Sequence, residues 1–336
     1  MLYLRLRRVQ EVGKGTLIVS LPKAWARRLG IQKGSILAVR ETAKGQLVLE
    51  PFTGREEEPA SIVIRCDGKK REEVEWSIIG AYLLGYDTIE LVARARLSSE
   101  VKSAIREAVR GLAGLEIVDE DLRRVVINCL VDPSAVAPRT LLARKNAITI
   151  GMHTDAITAL ITGDRSLAEM VMDRDEEVDR LYFLLVRLLR TAIRDLKLAE
   201  KFQLSPIDCL DFRMAAKLIE SIGDHAVDVA GLVMRLPRGS SLKAVEDELS
   251  SASELLKEMQ DVAVRAFLMK KASLVGEVKG ELRTRFSEAL GELEEEGRDL
   301  QDLSHVVYST ASLMNEIAKC CIDIADLVVP AGIEVG

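Results

Sequence analysis

The sequence has few aromatic residues and no long apolar run, and each absence excludes a class of protein. Aromatics make up 4% of the 336 residues, so Leu, Val, Ile and Ala must fill the cores, as helix packing allows. No run approaches the roughly 18–20 apolar residues that span a bilayer, and no signal peptide opens the chain, so we expect no membrane insertion. The five cysteines form neither a CxxC motif nor an even-numbered framework, which favours a reducing, cytoplasmic location.

The common catalytic arrangements are also missing from the sequence. Its three histidines, His153, His225 and His305, are not paired at metal-ligand spacing. No phosphate-binding glycine loop, Ser-His-Asp order or Cys-His context occurs. A metallohydrolase stays open as the weakest hypothesis, because carboxylates that hold a metal ion can activate water. We expect a protein that is not an enzyme.

Charge is divided unevenly along the chain. Residues 1–50 contain ten Lys and Arg against three Glu, a net charge of +7 on a chain of net charge −6, so the remainder carries −13. A basic segment on an acidic protein is typical of a domain that meets polyanions, although a solvated basic rim is the alternative. The candidate DNA-binding residues are Arg5, Arg7, Arg8, Lys14, Lys23, Arg27 and Arg28.

Short strands and glycine turns fill residues 1–52. A strand over 17–19 follows a Gly-Lys-Gly turn, and Pro22 opens a short helix that Gly30 caps. Two more glycine turns precede strands over 36–39 and 47–49. Four strands and one helical turn are too few to bury a core alone. The sequence therefore predicts a domain that needs a partner chain.

This pattern of strand, Gly-basic turn, strand, Pro-helix and Leu-Gly-Ile resembles the AbrB/SpoVT (swapped-hairpin) DNA-binding domain. The residues that carry the resemblance are Val12-Gly13-Lys14, Leu17-Ile18-Val19, Pro22 to Arg28, and Leu29-Gly30-Ile31. The resemblance implies a β-barrel interlaced between two chains, with its basic residues facing operator DNA. Similar domains also serve as dimerisation modules or bind partner proteins.

A small α/β domain is predicted over residues 60–135, after a polar linker at 51–60. Strands and helices alternate there in the order β-α-β-α-β-β. The turn glycines Gly68, Gly85 and Gly114 form neither a phosphate loop nor a dinucleotide fingerprint. Spacer, dimerisation and ligand-sensing roles therefore stay open for this domain.

Residues 138–330 are predicted to be almost entirely helical, because apolar residues recur at spacings of three and four. Breaks at Gly163, Pro206, Pro237, Ser273 and Gly297 divide the region into six helices. Three fall in about 138–236 and three in about 239–330, and the second half looks like a diverged copy of the first. This predicts two three-helix bundles side by side.

Two helices of the first bundle carry carboxylates at i, i+4 spacing. Asp175 and Asp179 share one helix face, Glu220 and Asp224 share another, and Asp228 extends the second row by a turn. Like charges at this spacing destabilise a helix unless they are neutralised. The five residues are therefore candidate ligands of a divalent or trivalent metal ion, with solvated acidic faces as the alternative.

Two sequence segments around these carboxylates closely resemble the PhoU family of phosphate-uptake regulators. They are DRDEEVDRLYFLLVRLLR, from Asp173, and ESIGDHAVDVA, from Glu220. The resemblance implies a pair of three-helix bundles whose (Glu/Asp)-x-x-x-Asp motifs gather iron, zinc or other metals, with manganese and magnesium also compatible. In the second copy, Asn315 and Lys319 replace the acidic pair, so one site per chain is expected.

An AbrB-like head, an α/β middle and a PhoU-like body is an arrangement similar to that of archaeal PhoU-type regulators. The two resemblances together imply a dimeric transcriptional regulator of phosphate uptake that binds operator DNA through the head. The alternative is a signalling adaptor that does not bind DNA and docks on the phosphate transporter ATPase or a sensor kinase.

Overall fold

The structure, a computed structural model, describes residues 6–13, 15–41, 45–52 and 59–328. The chain divides into two compact units, Met1–Glu58 and Pro59–Gly336. Two of the predicted DNA-binding residues, Arg5 and Lys14, lie outside the described residues. Within the described ranges, none of the helices has the length and apolar character needed to cross a bilayer.

The N-terminal unit is strand-rich and consists of two separate hairpins and one short helix. Strand β1 (Gln10–Val12) pairs antiparallel with β2 (Thr16–Ile18), and β3 (Leu37–Glu41) pairs antiparallel with β4 (Leu47–Pro51). Helix α1 (Lys23–Arg28) follows Pro22, and Gly30 takes a positive φ of 66° just after it, as the predicted cap requires. None of the side chains described in this unit is buried.

The middle domain is a two-layer α/β domain at the start of the second unit. Its elements are β5 (Ser61–Arg65), α2 (Arg71–Leu83), β6 (Thr88–Val92), α3 (Ser99–Gly111), β7 (Leu115–Glu120) and β8 (Arg124–Cys129). The strand order is β5-β6-β8-β7, with β5 parallel to β6 and the other pairs antiparallel. Alternate residues such as Ile64, Ile89 and Ile127 point into a core that both helices cover. This matches the predicted element order.

The helical body follows and has three long helices in each half. The elements are α4 (Pro138–Thr162), α5 (Arg165–Arg194), α6 (Leu196–Phe202), α7 (Pro206–Arg235), α8 (Glu246–Met269), α9 (Ala272–Glu277), α10 (Arg283–Gly297) and α11 (Ser304–Asp326). Gly163, at φ 70°, ends α4, and Ser205 caps α7 by accepting a hydrogen bond from the Asp208 amide. The short helices α6 and α9 and a π-helical turn at Val278–Leu282 were not predicted.

One hydrophobic core runs through both halves of the body. Helices α5 and α7 pack on α4, helices α10 and α11 pack on α8, and the α4–α8 and α7–α11 contacts join the two halves. Cys320 and Cys321 are buried in this core on α11 and pack there as small apolar residues. The two predicted bundles therefore share one interior.

The middle domain is attached to the body through α5. Arg187 of α5 is 1% exposed. Its Nη1 atom donates to the carbonyl oxygens of Tyr82 (2.7 Å) and Tyr86 (2.9 Å), and Nη2 donates to Asp87 Oδ1 at 2.8 Å. About two turns further along α5, Arg194 donates to the carbonyl oxygen of Leu84. One face of α5 thus holds the C-terminal end of α2 and the turn after it, mainly through backbone carbonyl oxygens.

Candidate functional site

The predicted carboxylates of α5 and α7 face one another across a close helix contact. The contact is close because Gly223 lies on α7 where a Cβ atom would meet Val178 at 3.4 Å and Asp175 Oδ1 at 3.6 Å. We call Asp175, Asp179, Glu220 and Asp224 the carboxylate cluster, because each of the two aspartates of α5 feels the charges of both α7 residues.

Burial and like charges together shape the electrostatics of the carboxylate cluster. Burial, followed by the negative charges of Asp175, Glu220 and Asp224, raises the pKa of Asp179 to about 6. Burial, Asp224 and Glu220 also raise the pKa of Asp175. Asp175 Oδ1 is buried and has no hydrogen-bond partner. The cluster therefore has negative charge that its own hydrogen bonds do not compensate, and it favours a cation.

A buried lysine of α4 lies close enough to the carboxylate cluster to interact with three of its carboxylates. Lys145 is 1% exposed, its Nζ atom donates to the Ala216 carbonyl oxygen at 2.9 Å, and it lies 4.8 Å from the centre of the Tyr182 ring. Burial lowers the pKa of Lys145 to about 7, while Glu220, Asp179 and Asp224 act to raise it. Sequence reasoning missed this residue. Its signal was a lysine at a position where the apolar spacing of α4 calls for a core residue.

The other predicted ligand and the second-copy residues lie elsewhere. Asp228 has a side chain that is 64% exposed, and the Nδ1 atom of His225 lies 3.9 Å from Asp228 Oδ2. Lys319, at the position of the missing second motif, makes a surface ion pair with Glu316 at 2.6 Å. The structure thus brings together four of the five predicted ligands and leaves Asp228 apart.

The donor chemistry of the carboxylate cluster suits a hard metal ion, because it offers carboxylate oxygens and neither sulfur nor imidazole. The geometry is not preassembled: in the part of the chain that the structure describes, no group of three or more His, Cys, Asp and Glu side chains is arranged to hold a metal ion. Lys217 also approaches Glu220, with Nζ and Oε2 3.2 Å apart. A bound cation would require the carboxylates to rotate toward a common centre.

A second buried polar group joins α4 to α8 and was also not predicted. Gln260 of α8 donates to Asn146 Oδ1 at 2.9 Å and to Thr149 Oγ1 at 2.8 Å, and its Oε1 atom lies 3.1 Å from His153 Nε2. Burial lowers the pKa of His153 to about 4, so this imidazole is neutral near pH 7. The network fixes the register between the two halves of the body.

The candidate DNA-binding residues that the structure describes are all at the surface. Arg7 and Arg8 precede β1, Lys23 begins α1, and Arg27 and Arg28 form its last turn. Large apolar side chains are exposed in the same unit: Leu6, Val9, Val12, Leu17, Ile18, Val19, Leu29, Ile36, Val39, Leu47 and Phe52. An exposed apolar surface of this extent on so small a unit is typical of a surface that another chain covers.

Comparisons with known proteins match both regions. The PhoU domain profile matches residues 142–233, and the profile "Antidote-toxin recognition MazE, bacterial antitoxin" matches residues 12–57. Curated relatives from two strains of Caulobacter vibrioides, each called "Phosphate-specific transport system accessory protein PhoU homolog", are 28% identical over 132 residues. That alignment covers 39% of this chain and 54% of the relative, so the chain spans about half the length of the curated relatives it matches.

Two solved structures are similar in part. PhoU from Pseudomonas aeruginosa is 22% identical with a TM-score of 0.46, over 57% of this chain and 93% of that one. The phosphate transport system regulatory protein PhoU from Streptococcus pneumoniae is 16% identical with a TM-score of 0.47, over 57% of this chain and 91% of that one. The MazE profile overlaps the region of the AbrB/SpoVT resemblance, and the PhoU profile covers the first of the two predicted bundles. The chain therefore contains a PhoU domain, matched over residues 142–233, and an N-terminal MazE/AbrB-like domain, matched over residues 12–57.

Proposed function

We propose that the chain is a dimeric, DNA-binding regulator of phosphate uptake, whose helical body binds a metal ion in the carboxylate cluster. The observation that carries the proposal is the N-terminal unit, which is basic, strand-rich and without a buried side chain among its described residues. Such a unit gains a core only by pairing with a second chain, and pairing doubles the basic surface that faces DNA.

The link to phosphate uptake rests on the PhoU domain. The curated relatives carry a name that assigns them to the phosphate-specific transport system as accessory proteins. We extend that accessory role to this chain, as a regulator without catalytic activity of its own. We therefore assign the regulation of phosphate transport to this chain as part of the proposal.

DNA binding is tested by fluorescence anisotropy of the full chain with a duplex from upstream of its own operon, across a salt series and against a scrambled duplex. Lys23→Ala combined with Arg27→Ala should weaken binding and reduce the slope of log K against log salt by about 4, because each chain of the dimer loses two phosphate contacts and each lost contact reduces the slope by about 1. The matched control is Arg96→Ala combined with Arg238→Ala, which removes the same charge from exposed positions of the second unit. Equal binding by both variants contradicts the proposal.

The metal site is tested by calorimetric titration of the full chain with Mn²⁺, Zn²⁺ and Fe²⁺. Asp175→Asn combined with Asp224→Asn should abolish binding, because it removes one charge from each helix of the carboxylate cluster. Asp228→Asn should leave the affinity unchanged, since the Asp228 side chain is exposed and lies outside the cluster. Equal loss in both variants would place the ion elsewhere, and no heat in the parent would refute metal binding.

A second candidate function is an adaptor that docks on a transporter ATPase or a sensor kinase without binding DNA. Two observations favour it: residues after 50 carry a net charge of −13, and the MazE profile describes a domain that recognises a protein. Weak anisotropy that is equal on the operon and scrambled duplexes would support this candidate over the first. Recovery of the transporter ATPase with the tagged full chain would then identify the partner.

A further inference from the structure

Strand β5 is an unprotected edge of the middle-domain sheet. The Cys66 amide donates to the Val92 carbonyl oxygen at 2.9 Å, and the Ala60 carbonyl oxygen accepts from the Thr88 amide at 3.1 Å. Even-numbered residues of this strand therefore face β6, and the backbone groups of Ser61, Val63 and Arg65 point away from the sheet. Backbone donors and acceptors in an open row of this kind can pair with another strand.

The opposite edge of the sheet differs in the features that prevent pairing. Strand β7 has an irregular register between Ile117 and Asp119 and carries the acidic side chains Glu116, Asp119 and Glu120. Strand β5 has a regular register along all five residues and no proline, lysine or acidic residue. Natural edges that must remain single usually carry such protection, so β5 is the edge suited to pairing.

A shallow groove lies beside this edge. It is a cavity of about 540 Å³ between β5 and α2, its α2 wall contains Ser77, Gly80 and Leu84, and Lys69, which donates to Ser77 Oγ, also lines it. A Cβ atom added at Gly80 would meet nothing within 4 Å. Two apolar side chains of the groove are exposed, Val63 by 56% and Leu84 by 48%, and Trp76 of α2 is 70% exposed. Both an open strand and an open helix face are therefore available on one side of the domain.

We propose that β5 pairs antiparallel with β5 of a second copy of the chain, about a two-fold axis through Val63. The two four-stranded sheets then form one eight-stranded sheet, and the two copies of α2 lie side by side on the same face of it. The small residues Ser77 and Gly80 allow the helices to approach, while Trp76 and Leu84 are covered by the other copy. The surface is self-complementary, as a two-fold interface requires.

Charge suits a second copy as the occupant. About an axis through Val63, Arg65 of one copy lies opposite Ser61 of the other, so the charged residue of β5 meets a neutral partner and like charges do not face each other within the strand pair.

The chain length between the two units also favours this pairing. Six residues separate Phe52 from Pro59, which reach at most about 20 Å. If the N-terminal units pair, as the proposed function holds, the two β5 strands are tethered at a high effective concentration. The inference does not require DNA binding and adds a second contact to the proposed dimer.

The inference is tested by disulfide trapping in the full chain. Val63→Cys should form a dimer on mild oxidation, because paired strands bring the two Cα atoms to about 5.5 Å, within the range that a disulfide spans. The matched control is Val118→Cys, on the β7 edge, where the side chain is 51% exposed. We expect Val63→Cys to cross-link at least about tenfold faster, since a disulfide needs this short Cα–Cα distance. The parent chain sets the background of its five native cysteines.

The register gives a second control. A mixture of Ser61→Cys and Arg65→Cys chains should cross-link, because the axis places these residues opposite each other, whereas Ser61→Cys alone should not. Light scattering on the parent separates the possible failures. A dimer in which Val63→Cys reacts no faster than Val118→Cys overturns the β5 pairing and leaves the N-terminal pairing intact. A monomeric parent overturns both.

Discussion

Replacement of Arg187 by methionine should separate the middle domain from the helical body. The guanidinium is 1% exposed and makes three hydrogen bonds to the end of α2, two of them to backbone carbonyl oxygens. Methionine fills a similar length of space but donates no hydrogen bond. The change therefore leaves the carbonyl oxygens of Tyr82 and Tyr86 without their donor and removes the counter-ion of Asp87.

The expected magnitude follows from the burial of these groups. Breaking a buried ion pair by removing one partner costs about 3–5 kcal/mol, and each buried acceptor left unpaired costs about 1–3 kcal/mol. The Asp87 side chain is 38% exposed, so water replaces part of what its carboxylate loses. We therefore expect Arg187→Met to reduce the free energy of unfolding by about 3–5 kcal/mol. Arg187→Lys keeps the charge but not the planar fork of donors, and should lose about 1–3 kcal/mol.

Urea unfolding of the full chain, followed by circular dichroism at the helical minimum, measures these losses. The control is Arg180→Met, an exposed arginine on the same helix, which should change the free energy of unfolding by less than about 0.5 kcal/mol. If Arg187→Met loses less than about 1 kcal/mol, the guanidinium does not hold the two parts together, because exposed ion pairs already contribute that much.

Three further changes test other parts of the body. Gln260→Leu should lower stability by about 2–4 kcal/mol in urea unfolding, because several buried polar groups lose their partner at once; a loss below about 1 kcal/mol contradicts the network. The pKa of His153 falls from 6.5 to about 4, so the unfolded chain binds this proton first and stability is lost as the pH falls between those values. His153→Gln should remove that dependence, and an unchanged pH profile would refute the assignment. Gly163→Ala should cost about 1–3 kcal/mol in urea unfolding, since its φ is 70°, whereas Gly276→Ala, in open space on α9, should be neutral or stabilising in the same assay.

The middle domain was predicted almost residue by residue, because its local signals agree with its tertiary packing. The apolar alternation of β6 matches the buried Ile89 and Leu91, and Ser98 caps α3 by accepting a hydrogen bond from the Val101 amide. Each strand and helix there is set by a pattern that spans few residues. Sequence alone could not show which edge of the sheet is open, since strand order depends on contacts far apart in the chain.

The buried polar residues of the body were not predicted, because they lie on the face of α4 that the apolar spacing assigns to the core. Lys145, Asn146, Thr149 and His153 occupy positions that the apolar spacing assigns to the core. A single helix cannot reveal whether such residues have partners. The partners, Ala216 on α7 and Gln260 on α8, are 71 and 114 residues away in the chain from Lys145 and Asn146.

Helix geometry explains why Asp228 lies outside the carboxylate cluster. With 3.6 residues per turn, each i, i+4 step advances about 40° around the helix, so Asp228 is about 80° from Glu220. Glu220 is partly buried, Asp224 is already exposed at the rim of the cluster, and Asp228, one turn further on, is exposed and lies outside it. An i, i+4 row thus supplies two neighbours on one face, and a third member needs a curved helix or a broad site.

Helix α5 is the element through which the carboxylate cluster and the middle domain are physically joined. Asp179 and Arg187 are eight residues apart, about 12 Å along a helix that rises 1.5 Å per residue. Between them Leu181, Leu184 and Leu185 are buried, so this stretch of α5 is held by the core and moves as one piece. A rearrangement of the cluster that shifts α5 along its axis must therefore displace Arg187 against its acceptors on α2. Those acceptors are fixed carbonyl oxygens at hydrogen-bond distance, so even a small shift of α5 changes the free energy of docking the middle domain.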